Sequence, residues 1–218
     1  LVYFFLYLPI FILIIFSFYN SKYSTKWSGF TLKWYVQFFK NTLLIDATLR
    51  SLLIAFLSSI AATTVGTLGA MAFYRYRFMG RKVLYSLVYI IMMSPDIVMG
   101  ISLLAFFMMI GFKPGFTTLL LSHITFCLPF VIVTVYSRIC GFDRSIIEAA
   151  KDLGASESQT FRYILFPMIF PAILSGWLLS FTLSLDDVIV SFFVTGPTFE
   201  VLPLKIYSMV RLGIKPEI

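Results

Sequence analysis

Five long apolar runs constrain the fold of this chain more strongly than any other feature of its sequence. They cover residues 1–18, 51–74, 83–110, 116–137 and 172–195. Each approaches or exceeds the roughly 20 residues that a helix needs to cross the hydrocarbon core of a bilayer. The runs are too long and too uniformly apolar for the short alternating strands of a membrane barrel. We therefore predict an all-α fold, a polytopic bundle of membrane helices that forms a single transmembrane domain over residues 1–218.

The composition supports a membrane location for these runs. Of the 218 residues, 60% are hydrophobic and 12% are charged, against about 45–50% and about 25% in a typical soluble domain. The net charge of +7 comes from basic residues between the runs, where they anchor loops at lipid headgroups, so we do not expect a nucleic-acid partner. Two cysteines, one histidine and no Cys-x-x-Cys pair predict neither a metal site nor a disulfide framework.

The orientation is predicted from the loop 75–82, which is densely basic. Its basic residues are Arg75, Arg77, Arg81 and Lys82. Because Lys and Arg accumulate in cytoplasmic loops, this density places the loop and residue 1 on the cytoplasmic side. The total numbers of basic residues on the two sides of the membrane are nearly equal. The opposite loop 19–50 also contains basic residues: Lys22, Lys26, Lys33, Lys40 and Arg50.

The segment between the fourth and fifth runs begins with the pattern of a short helix outside the membrane. Ser145 and Glu148 fit a capping box, which starts a helix over about residues 146–153. Gly154 follows at a position where a left-handed glycine often ends a helix.

A second short helix is predicted immediately afterwards. Ser156 and Gln159 fit another capping box. We expect this helix to end before Pro167, and Pro171 to lie in the first turn of the fifth spanning helix. The two short helices would form a hairpin of about residues 143–167 on the same side as loop 75–82.

The hairpin carries a longer pattern at fixed spacing. Glu148-Ala149-Ala150 is followed after three residues by Gly154, and after nine more by Ile164-Leu165-Phe166-Pro167. This resembles the Glu-Ala-Ala signature of ABC importer permeases, with Phe166 where that family usually has Leu. The resemblance implies a cytoplasmic coupling helix that docks in a groove of an ABC ATPase dimer. The coupling residues that it implies are Glu148, Ala149, Ala150, Gly154, Ile164 and Pro167.

The energy source is expected on another chain. The sequence has no Gly-x-x-x-x-Gly-Lys-Ser/Thr loop, the motif that cradles nucleotide phosphates. We therefore expect a transporter subunit without enzymatic activity or cofactor, and a partner ATPase that binds ATP and Mg²⁺. A secondary cation transporter or channel is the alternative class, and it explains intramembrane acids but not the Glu-Ala-Ala spacing.

Three acids lie within the predicted spanning segments, namely Asp96, Asp186 and Asp187. An ionised Asp at the centre of a membrane helix costs about 2.5–3.5 kcal/mol, so each needs a partner or a water-filled path. Asp96 and Asp186 lie 13–14 residues from the cytoplasmic ends of their runs, roughly 20 Å along a helix. Asp187 shares a predicted helix face with three serines, Ser180, Ser184 and Ser191.

Each acid also has a structural interpretation. Ser94 and Pro95 precede Asp96 as in a helix start, where Ser94 would cap and Asp96 would complement the helix dipole. Asp186 and Asp187 could form internal salt bridges, but basic residues occur only at the ends of the spanning runs. A polycationic substrate would supply the missing positive charge.

Four stretches resemble the C-type permease subunits of spermidine/putrescine ABC importers: residues 74–78, 93–99, 122–130 and 185–188. The resemblance extends from about residue 7 to the end of the chain. It implies a polyamine substrate, a second permease subunit, a periplasmic polyamine-binding protein and a bacterial inner-membrane location. It also implies six spanning helices, so we expect the sixth helix and the C-terminus to be missing. Because the chain starts with Leu1 inside an apolar run, we also expect a fragment that lacks its N-terminus. A permease for another cationic or small organic substrate remains open.

These arguments give five candidate residues for the substrate path: Asp96, Ser184, Asp186, Asp187 and Trp34. Trp34 could contact an entering ammonium group or belong to the interfacial aromatic belt. Adjacent helical residues point about 100° apart, so we expect only one residue of the Asp186-Asp187 pair to face the path. His123 is interpreted as a packed helix residue rather than a proton relay.

Overall fold

The structure, a computed structural model, describes residues 2–20, 29–143 and 145–211. Apart from one isolated bridge between Tyr19 and Phe30, the regular structure in these ranges is helical, which confirms the all-α prediction. The helices are α1 (Val2–Ser17), α2 (Lys33–Lys40), α3 (Thr42–Arg75), α4 (Arg81–Met93), α5 (Asp96–Met109), α6 (Phe116–Cys140), α7 (Ser145–Asp152), α8 (Glu157–Thr160), α9 (Phe166–Asp186), α10 (Ile189–Val194) and α11 (Leu202–Arg211). A π-helical turn, Phe161–Leu165, joins α8 to α9.

The described residues fall into two compact units. One contains α1, α2, the start of α3 as far as Ser51, and α11. The other runs from Leu52 to Thr198 and contains the rest of α3 with helices α4 to α10. The three predicted path acids and the coupling hairpin all lie in this second unit.

Small side chains let the helices of the second unit approach closely. One face of α3 carries small residues at every fourth position, Ser58, Ala62, Gly66 and Ala70, and all four are buried. A Cβ atom on Gly66 would lie 2.8 Å from Val131 on α6, so only glycine fits there. Val131 also belongs to a core cluster with Ile169 on α9. This face therefore packs against neighbouring helices.

The five apolar runs are helical, but they do not form five simple spanning helices. Within the described residues, three helical stretches are long and apolar enough to cross a bilayer: Thr42–Arg75, Phe116–Cys140 and Glu157–Asp186. The third run forms α4 and α5, which are bent by 114° and add a fourth span if the pair is counted as one. The first run forms α1, whose 16 residues fall short of the roughly 20 that a span needs.

The fifth run departs from its predicted limits at both ends. Its helical stretch starts at Glu157, so the second hairpin helix continues past Pro167 and Pro171 lies inside α9. The wider spacing of the π-helical turn accommodates Pro167, whose ring would clash with the carbonyl four residues earlier in an α-helix. α9 then stops at Asp186, well before the predicted end at residue 195.

Candidate functional site

Two interrupted helices meet at one cavity in the second unit. α4 and α5 are separated at Ser94–Pro95, and α9 and α10 at Asp187–Val188. Residues at both breaks line a cavity of about 320 Å³, namely Ser94, Asp96, Asp186, Asp187 and Val188. Two aromatic residues of α6, Phe126 and Phe130, also line it. Interrupted helices that border a cavity in the membrane are typical of substrate sites in transporters.

The first break follows from Pro95. A proline disfavours helical backbone in the residue before it, and Ser94 is extended with ψ of 134°. α5 restarts at Asp96, with Pro95 at the cap position and no side-chain capping hydrogen bond. The prediction that Ser94 caps α5 was therefore wrong, because Ser94 lies one residue too early and ends α4 instead. Asp96 does lie in the first turn of α5, where its charge complements the helix dipole.

The second break follows from the hydrogen bonds of Asp187. Its carboxylate accepts the backbone N–H groups of Val190 at 3.2 Å and Ser191 at 2.7 Å, so it caps the start of α10. The backbone of Asp187 is extended, with ψ of 125°. The predicted continuous helix face is therefore interrupted, although its three serines, Ser180, Ser184 and Ser191, are all buried.

A buried histidine on α6 contacts both sides of the second break. His123 is 1% exposed, and its Nδ1 lies 2.6 Å from the hydroxyl oxygen of Ser184 on α9. Its Nε2 lies 3.1 Å from the hydroxyl oxygen of Ser191 and 3.5 Å from the carboxylate of Asp187. The prediction that Asp186 and Asp187 lack a basic partner considered only Lys and Arg. It therefore missed His123, the one imidazole inside an apolar run.

The structure separates the predicted path residues of the second unit. Asp96 and Asp186 are exposed at the cavity. Asp187 also borders the cavity, but its side chain is only 9% exposed because its carboxylate turns toward α10. Ser184 is buried, and its hydroxyl oxygen lies 2.9 Å from that of Ser58 on α3. Asp96 and Asp186 are thus the two carboxylates directly available to a ligand.

Trp34 belongs to the first unit and has a structural environment. It is 6% exposed, and its indole N–H donates to the carbonyl of Tyr19 at 2.6 Å. The ammonium nitrogen of Lys33 lies 5.9 Å from the centre of its ring. The cation next to Trp34 in this structure is therefore a lysine of the chain itself.

The first helix of the hairpin, α7, begins one residue earlier than predicted. α7 includes Ser145, whose backbone N–H donates to the carboxylate of Asp143 at 2.9 Å. This hydrogen bond to the charged form lowers the pKa of Asp143 below its ordinary value. Asp143 therefore performs the capping that we predicted for Ser145, and the first capping box was wrong.

Gly154 ends α7 in the predicted left-handed conformation, with φ of +80°. Its N–H donates to the carbonyl of Lys151 at 2.8 Å, and the N–H of Ala155 donates to the carbonyl of Ala150 at 3.0 Å. These two bonds form a complete Schellman motif, which requires a positive φ at its glycine. The turn between the two hairpin helices therefore depends on this residue.

The second capping box is confirmed at the start of α8. Gln159 donates its backbone N–H to the hydroxyl of Ser156, and the Gln159 side chain accepts the N–H of Ser156 at 2.8 Å. Beside this cap, Glu157 forms an ion pair with Arg75 at the end of α3. The predicted loop 75–82 and the hairpin are thus connected directly.

The predicted coupling residues are distributed along the hairpin and its continuation. Glu148 and Ala149 are exposed on α7, whereas Ala150 is buried. Ile164 lies in the π-helical turn and Pro167 in the first turn of α9. A cavity of about 380 Å³ lies between α3 and the hairpin, and its lining includes five charged residues: Arg75, Arg77, Glu148, Lys151 and Glu157.

Comparison with known proteins identifies the family. Residues 62–212 match the family described as binding-protein-dependent transport system inner membrane component. This chain belongs to that family. The matched region includes both helix breaks and the complete hairpin, so the Glu-Ala-Ala resemblance and the predicted permease type are confirmed.

Curated relatives of this permease are similar over its full length. The spermidine/putrescine transport system permease protein PotC of Escherichia coli strain K12 is 56% identical over 217 residues, which are 100% of this chain and 82% of that protein. PotC of Haemophilus influenzae is 54% identical, again over 100% of this chain and 84% of that protein. The putrescine transport system permease protein PotI of Escherichia coli is 41% identical over 98% of this chain and 79% of that protein.

Solved ABC transporters share the fold of this permease at low sequence identity. A bacterial ABC transporter involved in the import of alginate gives a TM-score of 0.75 at 16% identity, over 97% of this chain and 77% of that chain. The methionine ABC transporter MetNI gives a TM-score of 0.66 at 19% identity, over 79% of this chain and 82% of that chain. These likenesses show the fold, and the family with its curated relatives makes the chain a membrane permease subunit of a transport system.

Proposed function

We propose that this chain is the permease subunit of an ATP-driven importer for spermidine and putrescine, and that it forms half of the translocation path. The observation that carries the proposal is the 56% identity to PotC over 217 residues. The family alone does not choose a substrate, because its members share the coupling hairpin whatever they transport. The chemistry of the cavity between the two helix breaks supports the same substrate class.

The cavity has the properties that a polyamine requires. Asp96 and Asp186 present exposed carboxylates, which can pair with two ammonium groups. Phe126 and Phe130 present rings that can pack against methylene segments or attract an ammonium by cation–π interaction. No Lys or Arg occurs among the described lining residues, so a cationic ligand meets no competing positive charge.

The proposed assembly follows from the family and from the hairpin. A cytoplasmic ABC ATPase dimer binds ATP and Mg²⁺ and receives the exposed face of α7 that carries Glu148 and Ala149. A second permease subunit supplies the other half of the path. A periplasmic polyamine-binding protein delivers the substrate to the complex, which lies in the bacterial inner membrane.

Two alternative functions share features of this fold, so an experiment must distinguish them from polyamine import by an ABC transporter. An ABC permease for another cation or small organic molecule would keep the hairpin and change the substrate. A secondary cation transporter would use the membrane acids without an ATPase, but it leaves the Schellman turn at Gly154 and the family membership without a role.

The test is radiolabelled spermidine uptake in proteoliposomes that contain this chain with its ATPase, second permease and binding protein. We expect ATP-dependent uptake that unlabelled spermidine and putrescine suppress and that unlabelled methionine does not. Omission of ATP or of the ATPase should abolish it. ATP-driven transport of a different cation, with no spermidine uptake, would replace the proposed substrate, and spermidine uptake without ATP would replace the proposed class.

A further inference from the structure

Helix α6 is attached to both sides of the α9–α10 break. Before the break, the thiol of Cys127 donates to the carbonyl of Ser180 at 3.4 Å. After the break, the hydroxyl of Thr118 donates to the carbonyl of Val194 at 2.8 Å. Among the side chains of α6 in the described part of the chain, only His123 contacts hydrogen-bonding groups on both α9 and α10.

His123 also belongs to a chain of polar groups that crosses the interior of the unit. Starting from α3, it runs through the hydroxyls of Ser58 and Ser184 to the imidazole. From the imidazole it continues to Ser191 and the carboxylate of Asp187. This row of polar groups therefore links the four helices α3, α9, α6 and α10 inside the subunit, and it ends at a carboxylate.

The carboxylate fixes the direction of the hydrogen bonds. An ionised carboxylate only accepts, so Nε2 of His123 carries the proton that faces Asp187 and Ser191. Nδ1 can then accept from Ser184 when the ring is neutral or donate to it when the ring is charged. In the second case Ser184 donates to Ser58, which donates to the carbonyl of Ala55 at 3.3 Å. Asp187 has an imidazole donor in either state.

This arrangement gives two adjacent carboxylates different environments. Asp186 is exposed at the cavity, whereas Asp187 receives two backbone N–H groups and faces the imidazole. We propose that His123 is a positioning residue that keeps Asp187 inside the subunit as the cap of α10, so that Asp186 alone of the pair faces the cationic substrate. This inference rests on the proposed polyamine function.

Removal of the imidazole should abolish the difference between the environments of Asp186 and Asp187. Without the imidazole, the buried carboxylate of Asp187 keeps the two backbone N–H groups but loses the imidazole that faces it, which makes its burial more costly. The Asp187 side chain would then turn toward the water of the cavity. This rotation removes the cap from α10 and displaces Asp186. We therefore expect His123→Leu to reduce spermidine uptake by about tenfold or more, because the carboxylate that pairs with the substrate is then misplaced.

Two conservative variants test the role of each ring nitrogen. Gln can place an amide nitrogen near the position of Nε2, whereas Asn reaches only the position of Nδ1. We expect His123→Gln to retain more uptake than His123→Asn, because the contact with Asp187 matters more than the contact with Ser184. Ser122→Ala is the matched control, since Ser122 is the neighbouring residue, is fully buried, and its hydroxyl has no hydrogen-bond partner within the described residues.

The decisive variant combines His123→Leu with Asp187→Asn. Neutralising residue 187 removes the unpaired charge while the amide oxygen can still accept an N–H group of α10. If His123 acts on that charge, the double variant should take up spermidine several-fold faster than His123→Leu alone and should melt at a higher temperature. If His123 only fills space, the two losses add and the double variant is worse than either single variant.

The measurements are made on the complete importer complex at matched membrane levels. Spermidine uptake gives KM and maximal rate, and the melting temperature of the purified complex repeats the test without any substrate. Uptake within twofold of the Ser122→Ala control for His123→Leu, or a double variant no better than His123→Leu on both readouts, would overturn the inference. Absence of polyamine uptake by the wild-type complex would instead contradict the proposed function, and the melting temperatures would still decide the role of His123.

Discussion

Gly100 on α5 lies directly against the ring of Phe193 on α10. A Cβ atom on Gly100 would lie 2.7 Å from this ring, closer than real Cβ atoms approach other atoms. α5 and α10 are the helices that follow the two breaks, and Gly100 is one turn after Asp96. This contact therefore sets how closely the two broken helices approach each other beside the cavity.

Substitution of Gly100 should disturb the cavity without changing any of its charges. We expect Gly100→Ala to destabilise the complex by about 1–3 kcal/mol, the usual cost of overpacking, and to reduce spermidine uptake. Combination with Phe193→Leu should restore part of the loss, because it removes the atoms that clash. Thermal melting and uptake are the measurements.

Gly69→Ala on α3 is the control for this substitution. A Cβ atom there would lie 3.6 Å from Ile132, an ordinary van der Waals contact. We expect its melting temperature to remain close to that of the wild type. Equal melting temperatures for the Gly69 and Gly100 variants would show that the contact with Phe193 does not fix the position of α5.

The Schellman turn at Gly154 should be required for coupling rather than for insertion. Gly154→Leu forces a left-handed conformation on a residue with a side chain, which costs about 1–3 kcal/mol. Among the described residues, no atom beyond the chain neighbours lies within 4 Å of the position of its Cβ, so we attribute the effect to conformational strain. We expect normal membrane levels, basal ATP hydrolysis by the complex and strongly reduced uptake.

Two further variants separate backbone strain from the loss of glycine itself. Gly154→Asn should retain more uptake than Gly154→Leu, because Asn tolerates the left-handed region better. Gly141→Ala should be nearly silent, since Gly141 has a helical φ of −82° and its Cβ would lie 3.6 Å from the nearest carbonyl oxygens. Normal coupled uptake by Gly154→Leu would refute the coupling role of this turn.

The ion pair between Arg75 and Glu157 should affect transport more than stability. Its side chains are 53% and 69% exposed, and exposed pairs typically contribute about 0–1 kcal/mol. Glu157→Arg would place a fourth basic group beside Arg75, Arg77 and Lys151, which line the same cavity, and should tilt the hairpin. We expect reduced uptake per ATP hydrolysed with a nearly unchanged melting temperature.

Charge reversal of both partners provides the internal control for this pair. Arg75→Glu combined with Glu157→Arg can form the pair again in the opposite direction. We expect it to recover much of the uptake that Glu157→Arg loses. A double variant as defective as the single one would mean that the hairpin does not depend on this connection to α3.

Local sequence signals predicted much of this structure because they act over a few residues. The capping box of Ser156 and Gln159 and the left-handed Gly154 need only their neighbours, and both occur as predicted. The break at Pro95 was anticipated as a helix start, although Ser94 does not cap it. The apolar runs likewise predicted the helices, since burial in a bilayer needs no specific partner.

The second break could not be read from the sequence in the same way. Asp187 interrupts the helix through hydrogen bonds to Val190 and Ser191, yet the sequence around it keeps a helical periodicity of serines. Its imidazole partner, His123, is distant in sequence and comes close only when α6 packs against α9. Predicting it requires the tertiary arrangement, which a periodic pattern does not contain.

The two exposed carboxylates of the cavity are the central residues of the proposed substrate path. Asp96→Asn and Asp186→Asn preserve shape and remove charge, so each should lose a substrate contact of about 1–3 kcal/mol, a five- to hundredfold effect. Asp46→Asn, at an exposed acid of α3 that does not line the cavity, is the matched control.

The most direct measurement is the initial rate of radiolabelled spermidine uptake by complete complexes that carry each Asn variant at equal membrane levels. We predict that Asp96→Asn and Asp186→Asn each reduce the rate at least about fivefold, while basal ATP hydrolysis persists and Asp46→Asn transports normally. Wild-type uptake rates for both cavity variants would contradict the claim that these carboxylates form the substrate path.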